Sequence, residues 1–597
     1  MDYYGPMVQF PPLKVLAVAA LLALHAHVSW AQTPAESHAA TVLPAENEED
    51  SDAKAFVDAE LFYEILVGEL TTGQGDAASG YALMLDAARR TGQEQLYQRA
   101  TQIALQSRSA ESALIAARAW KQSFPDSRKA NRYLLQILVA LNQPAETRDL
   151  LKQELALSPV PVKLQTLKAL PQIYSRVGDK ALAASVVEGA TEDELNNPAT
   201  GATAWTTVGR MRLAAGNTAG AYDAAQRAMR LDPQDAGAGT LALELVEDDV
   251  PDAEKLLGEY LTGQPNPEVR LGYARLLLQQ RRNAEAREQL QQLTRTNPEM
   301  PDAWLVLASL DLQARRADEA DKSLQQFIAL AEPKASNPGV AKALSRAYLM
   351  AAQIATDRSD FPAAQSWLAK ADRAAPGDFT VSVQQAALLA KQGQMAQARQ
   401  LIRSQPGQSE DERQRKLLAE AQLLKEAQQY AEAAQVTGEA AALTPNESEL
   451  IYEQAMLSER AGNVAEMERL LRQIIARQPD FHHARNALGY SFADRGVHLE
   501  EARTLIETAL QSAPDDPFIM DSKAWVEFRL GNKNEARKIL EKVFEKQRDA
   551  EIAAHYGEVL WSLGDKEKAI EIWREGLRVE PANDTLQETL KRLGVTL

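Results

Sequence analysis

Between His482 and Asn583 the chain repeats itself three times, and this internal period limits its possible folds more than any other feature. Gly489, Ala524 and Gly557 recur at steps of 35 and 33 residues, and Ala502, Ala536 and Ala569 follow at nearly the same steps. Each unit reads as two amphipathic helical runs joined by a turn such as Gly531-Asn532-Lys533 or Gly564-Asp565-Lys566. A small residue in the first helix faces a small residue in the second, as close backbone approach requires. Pro514 and Pro581 follow the second helix, where proline ends a helix without breaking its hydrogen-bond ladder.

A helix–turn–helix period near 34 resembles the tetratricopeptide repeat. Upstream, Ala274, Ala308, Ala352, Ala386, Ala421 and Ala455 take the small first-helix position. Ala286, Ala320, Ala364, Ala398 and Ala433 take the second, until Met467 replaces them. The pattern predicts an all-α tetratricopeptide-repeat solenoid of about 15 helix–turn–helix units, which by resemblance to that family coils into a right-handed superhelix. The sixth unit, about Ala236 to Gln264, is degenerate and carries the breaker Pro251. Trp205 and Trp304 sit at the repeat's structural tryptophan position and are read as packing.

One step of 44 residues in the small-residue series marks an insertion at 335–344, expected as a longer loop or bend. It separates an N-terminal repeat block, 59–334, from a C-terminal block, 345–583. The tail, 584–597, reads as a capping helix with Leu586, Leu590 and Leu593 on one face, because the last repeat has no neighbour to cover it. Residues 1–31 read as a signal peptide: an apolar run Val15 to Leu24 precedes the small-x-small site Ser29-Trp30-Ala31. Met1 and Met7 are both possible starts. Residues 32–58 read as a disordered acidic linker with the run Glu46 to Asp52.

The net charge of −18 argues against a general nucleic-acid binder, which needs clustered Lys and Arg. With no cysteine, thiol catalysis, Cys-ligated zinc and a lipidated N-terminal cysteine are all excluded. Ser51-Asp52-Ala53-Lys54 matches a Ser-x-x-Lys pattern but lies in the acidic linker. The adjacent His482 and His483 should diverge by about 100° on a helix, and His498 and His555 complete no metal motif. No phosphate-binding loop is present. The chain therefore reads as a non-enzyme without cofactor or metal.

The tetratricopeptide family's groove-lining positions, carried over to the C-terminal units, fall on Tyr452, Met456, Tyr490, Trp525, Phe528 and Trp561. Earlier units offer mostly polar or small residues there, such as Glu69 and Thr72. An exposed aromatic cluster would mark a partner site, whereas the same rings could fill the seams between helices.

Two segments carry a narrower resemblance. Ala59 to Leu70 with Gln98 to Ala104, and the closing runs Asn486 to Tyr490, Asp515 to Pro517, Asp521-Ser522 and Ala553 to Trp561, resemble a family of exported proteobacterial tetratricopeptide adaptors. The lipid-anchored members of that family partner a periplasmic carboxyl-terminal processing protease and bring it peptidoglycan hydrolases. The resemblance implies a periplasmic protein-binding scaffold whose partners are such a protease and such hydrolases. The chain departs from the family in lacking the lipid-bearing cysteine, so no direct lipid anchor is expected. The alternative is a structural repeat subunit of an envelope polysaccharide secretion or assembly complex. The oligomeric state is open at this level.

Export predicts cleavage after Ala31. Amino-terminal sequencing of protein from the producing cell should begin at Gln32; a mature chain starting at Met1 or Met7 would remove the periplasmic assignment.

Overall fold

A computed structural model describes residues 59–597; the expected signal peptide and the acidic linker lie outside them. Among the described residues there are 31 α-helices joined by short turns, and no strand. The chain is thus an all-α repeat solenoid. Contacts divide it between Leu310 and Asp311 into two compact units.

In the unit from Asp311 onward the closing repeats are the pairs His482–Arg495 with Leu499–Ser512, Pro517–Arg529 with Lys533–Lys546, and Ala550–Ser562 with Lys566–Val579. Their boundaries follow from local chemistry. Asp516 accepts hydrogen bonds from Phe518 N (2.8 Å) and Ile519 N (3.1 Å), and Pro517 takes the first helical position, where no donor is needed. Asp549 caps the next first helix in the same way. Gly531 and Gly564 adopt positive φ in the turns between paired helices.

The small-residue register is borne out residue by residue. Ala502, Ala524, Ala536 and Ala569 are fully buried, as are Ala386, Ala398, Ala433 and Ala455. A Cβ on Gly489 would lie 2.7 Å from Ile506 Cγ1 and 3.0 Å from the Ala502 carbonyl oxygen. One on Gly557 would overlap the indole of Trp573. Trp573 is itself fully buried and donates from Nε1 to the Ala554 carbonyl at 3.3 Å. The terminal helix Asp584–Leu593, capped by Asn583, lays Leu586 and Leu590 into the same cluster as Trp573. It is the expected lid.

Two expectations need correction. The insertion at 335–344 is not a loop: Asn337 caps and Pro338 opens a single 20-residue helix, Pro338–Asp357. Val340, Leu344, Ala347 and Ala351 are buried at helical spacing, so the extra residues lengthen a first helix by about two turns. Trp304 is only half-buried, with its Nε1 donating to the Pro298 carbonyl at 2.8 Å, whereas Trp205 packs as expected. In the other unit the degenerate repeat is a true helix pair, Ala236–Glu247 with Ala253–Thr262, and Pro251 lies in the turn between them.

Leucine at Gly557 or at Ala569 should destabilise the terminal repeat by about 1–3 kcal/mol, the usual cost of overpacking. The damage should stay local, because each repeat touches only its neighbours. Hydrogen exchange should loosen over residues 517–597 and stay unchanged around Trp205; uniform loosening would contradict a linear stack.

Candidate protein-binding groove

The candidate site lies on four first helices, Ser448–Arg460, His482–Arg495, Pro517–Arg529 and Ala550–Ser562. The last three pack side by side in succession. Equivalent positions of successive repeats are thereby brought together, although about 34 residues of sequence separate them.

Tyr452, Met456, Tyr490 and Trp525 are buried, at 7%, 5%, 8% and 3% exposure. They do not form the exposed aromatic cluster that the sequence suggested. Tyr452 leans on Phe481 with ring centroids 5.8 Å apart, and Trp525 lies over His555 at 4.3 Å and 29°. Such rings fill seams between first helices, and truncating them would empty volume that the stack needs. Phe528 and Trp561 are half-buried. Phe528 sits 5.2 Å from Trp525, while Trp561 packs 5.5 Å from Trp573 under the Lys566 ammonium. These two keep accessible surface.

What the structure adds is polar. His555 Nδ1 is 2.8 Å from Asp521 Oδ2, and its Nε2 is 3.3 Å from the Tyr490 hydroxyl. Asp521 is fully buried and His555 nearly so. The three side chains come from three consecutive repeats and tie them together. Nearby, Glu551 accepts a hydrogen bond from Thr585 Oγ1 at 3.1 Å, and Glu558 is bound by Arg592 of the terminal helix.

Burial governs the protonation of this group. It pushes the Glu551 carboxyl up to about 8; His555 opposes the shift and Asp521 adds to it. Asp521 is likewise raised by burial, against the pull of His555. Burial lowers His555, but the charge and hydrogen bond of Asp521 outweigh it and leave the imidazole above its ordinary value. Burial, and then the carboxylates of Glu551, Asp494, Glu459 and Glu558, hold the Tyr490 phenol well above its usual range.

Sequence reasoning missed Asp521, Glu551 and Asn486 as site residues and met His555 only in a search for metal motifs and within the closing run of the resemblance. The available signal was an acidic or amide side chain at the fifth place of two consecutive repeats, Asn486 and Asp521. The histidine pair also needs correction. The rings of His482 and His483 face one another at 4.1 Å rather than diverging. His482 is the first residue of its helix, where no preceding turn restricts its side chain. Among the described residues no group of three or more His, Asp or Glu could hold a metal ion. The cluster can bind and exchange protons and hydrogen bonds, and Phe528, packed on Trp525, adds apolar area beside it.

Models of the tetratricopeptide repeat match residues 244–310, 452–517 and 522–583, so the chain carries such repeats there, including most of the candidate site. A TPR repeat-containing protein of Pseudomonas aeruginosa is 34% identical over 220 residues, which cover 36% of this chain. The match spans 37% of that relative's length. Among solved structures, a thermophilic TPR protein of Thermus thermophilus is similar at 19% identity and a TM-score of 0.28, over 30% of this chain and all of that one. A tetratricopeptide repeat protein of Parabacteroides merdae is similar at 18% identity and a TM-score of 0.33, over 42% and 98% of the two chains. The APC/C hetero-tetramer Cut9-Hcn1 is similar at 12% identity and a TM-score of 0.26, over 90% and 96%.

Because the folded chain holds the Glu551 proton more tightly than the unfolded one, the associated stability is intact below about 4.5 and is lost as pH rises towards about 8. Asp521 and His555, both raised, act in the same direction. Thermal unfolding should therefore show the C-terminal repeats melting lower at pH 8 than at pH 5. Glu551→Gln should flatten that slope; an unchanged slope would mean the carboxylate is ionised at both pH values.

Proposed function

We propose that this protein is a non-catalytic, exported protein-binding scaffold, an adaptor that presents cell-wall hydrolases to a carboxyl-terminal processing protease. The observation that carries the reading is the succession of first helices from His482 to Ser562, which sets equivalent side chains of consecutive repeats along one track. A partner segment laid across such a track meets several repeats at once, and this is how a solenoid converts repetition into binding surface. The resemblance of the opening and closing segments to exported adaptors supplies the finer identity. Binding by polar groups at the floor of the track, with Phe528 and Trp561 as partly exposed apolar neighbours, suits a protein partner better than a small molecule.

Reconstitution provides the test. The mature chain, added to the purified protease with a peptidoglycan hydrolase, should raise the rate of hydrolase cleavage at least several-fold without cleaving anything alone. Deleting its gene should make the hydrolases accumulate. Equal cleavage with and without the chain, or co-purification with polysaccharide synthase and outer-membrane porin components instead, would replace this reading with the structural-subunit alternative.

A further inference from the structure

Among the described residues, Asn486 Oδ1, Asp521 Oδ1 and Trp525 Nε1, on two neighbouring first helices, are buried without a hydrogen-bond partner. Their residues are 3%, 0% and 3% exposed. Buried polar groups are nearly always hydrogen-bonded, because an unmet one gives up water without compensation. Asn486 and Asp521 occupy the same, fifth, place of consecutive repeats, and Trp525 lies one turn beyond Asp521 on the same helix. Both places belong to the track along which a tetratricopeptide groove is lined. Two acceptors and one donor match a peptide segment that brings its own N–H donors and a carbonyl.

Charge narrows the class. Asp521, Glu551 and Asp494 act on His555, and Glu551, Asp494, Glu459 and Glu558 act on Tyr490, so five acidic side chains influence this hydrogen-bonded pair. Arg592 and Arg529 stand against them: Arg592 is bound to Glu558, Arg529 lies over the Trp525 ring at 5.9 Å, and the imidazole of His555 is bound to Asp521 through Oδ2. The second oxygen of Asp521 is thus an acceptor in negative surroundings, where a cationic donor is favoured over a neutral one.

Resting on the scaffold reading above, we propose that Asn486, Asp521, Trp525 and Glu551 form a recognition floor for a lysine- or arginine-bearing peptide segment of a protein partner. The cation of that segment donates to Asp521 Oδ1, and its arrival draws off the proton that buried Glu551 otherwise holds, so that the freed carboxylate balances the charge. A backbone carbonyl of the segment accepts from Trp525 Nε1, and a backbone or side-chain N–H reaches Asn486 Oδ1. Phe528, 5.2 Å from Trp525, borders the floor with accessible apolar area, so the preferred segment carries an apolar residue beside its cation. The remaining bland possibility, that ordered water alone satisfies the three atoms, makes a different forecast.

The test is a display selection of random twelve-residue peptides on the full mature chain. Selected peptides should be enriched in Lys or Arg flanked by apolar residues. On Asp521→Asn the cation enrichment should vanish, and a selected peptide should bind roughly tenfold to a hundredfold more weakly, the range for a lost hydrogen bond to a charged group. Glu551→Gln is the second variant, in case Asp521→Asn fails to fold, and should weaken the same peptide. Replacing the peptide's cation by norleucine should cost as much on the native chain and nothing further on either variant. Apolar peptides enriched without a cation, or cation-bearing peptides indifferent to both variants, would overturn this assignment and leave the scaffold reading standing. No enriched peptide at all would overturn both.

Discussion

Everything in this molecule depends on how closely two helices of one repeat can approach. Gly489 against Ala502 and Ile506, and Gly557 against Trp573, leave no room for larger side chains, and Ala524, Ala536 and Ala569 are fully buried at the corresponding places. The approach lets each pair present one broad apolar face, and stacking pairs buries that face continuously. The terminal helix Asp584–Leu593 closes the stack at its C-terminal end with Leu586 and Leu590. No single core has to form, so length is added by repetition and not by enlarging an interior.

Against this apolar background the polar group at the C-terminal end is costly and specific. A buried carboxylate is destabilising unless it is paired, and Asp521 is paired on one oxygen only. The Asp521–His555–Tyr490 chain joins three repeats that packing alone would couple only to their neighbours. It therefore stiffens the track on which partners are proposed to lie. By contrast, Glu420 in the middle of the chain is fully buried and held on both oxygens by Arg399 and Arg403, at 2.6–2.7 Å. That carboxylate is satisfied where it stands and reads as structure.

Much of the fold was legible because the repeat constrains residue type at fixed intervals: small residues mark the close approach, and glycine and proline mark turns and ends. The insertion at 335–344 was misjudged as a loop because its helical signal, Asn337-Pro338 followed by Val340 and Leu344, was read only as a break in the period. The groove was less legible. Phasing places a residue on the correct helix and near the correct face, but it does not say how far neighbouring helices close over it. Phasing put Tyr490 and Trp525 on first helices and left open whether they are exposed or fill seams, and they are buried; Asp521 and His555 meet across 34 residues that no local pattern connects.

The central claim is that within the unit from Asp311 to Leu597 the repeats form a stack in which each is held by its neighbours. Native-state hydrogen exchange in low denaturant tests it most directly. The account predicts protection lost in repeat-sized steps along the unit from Asp311 to Leu597, with the helices that carry Tyr490, Asp521 and His555 opening together. A single cooperative opening of all helices in that unit would contradict it.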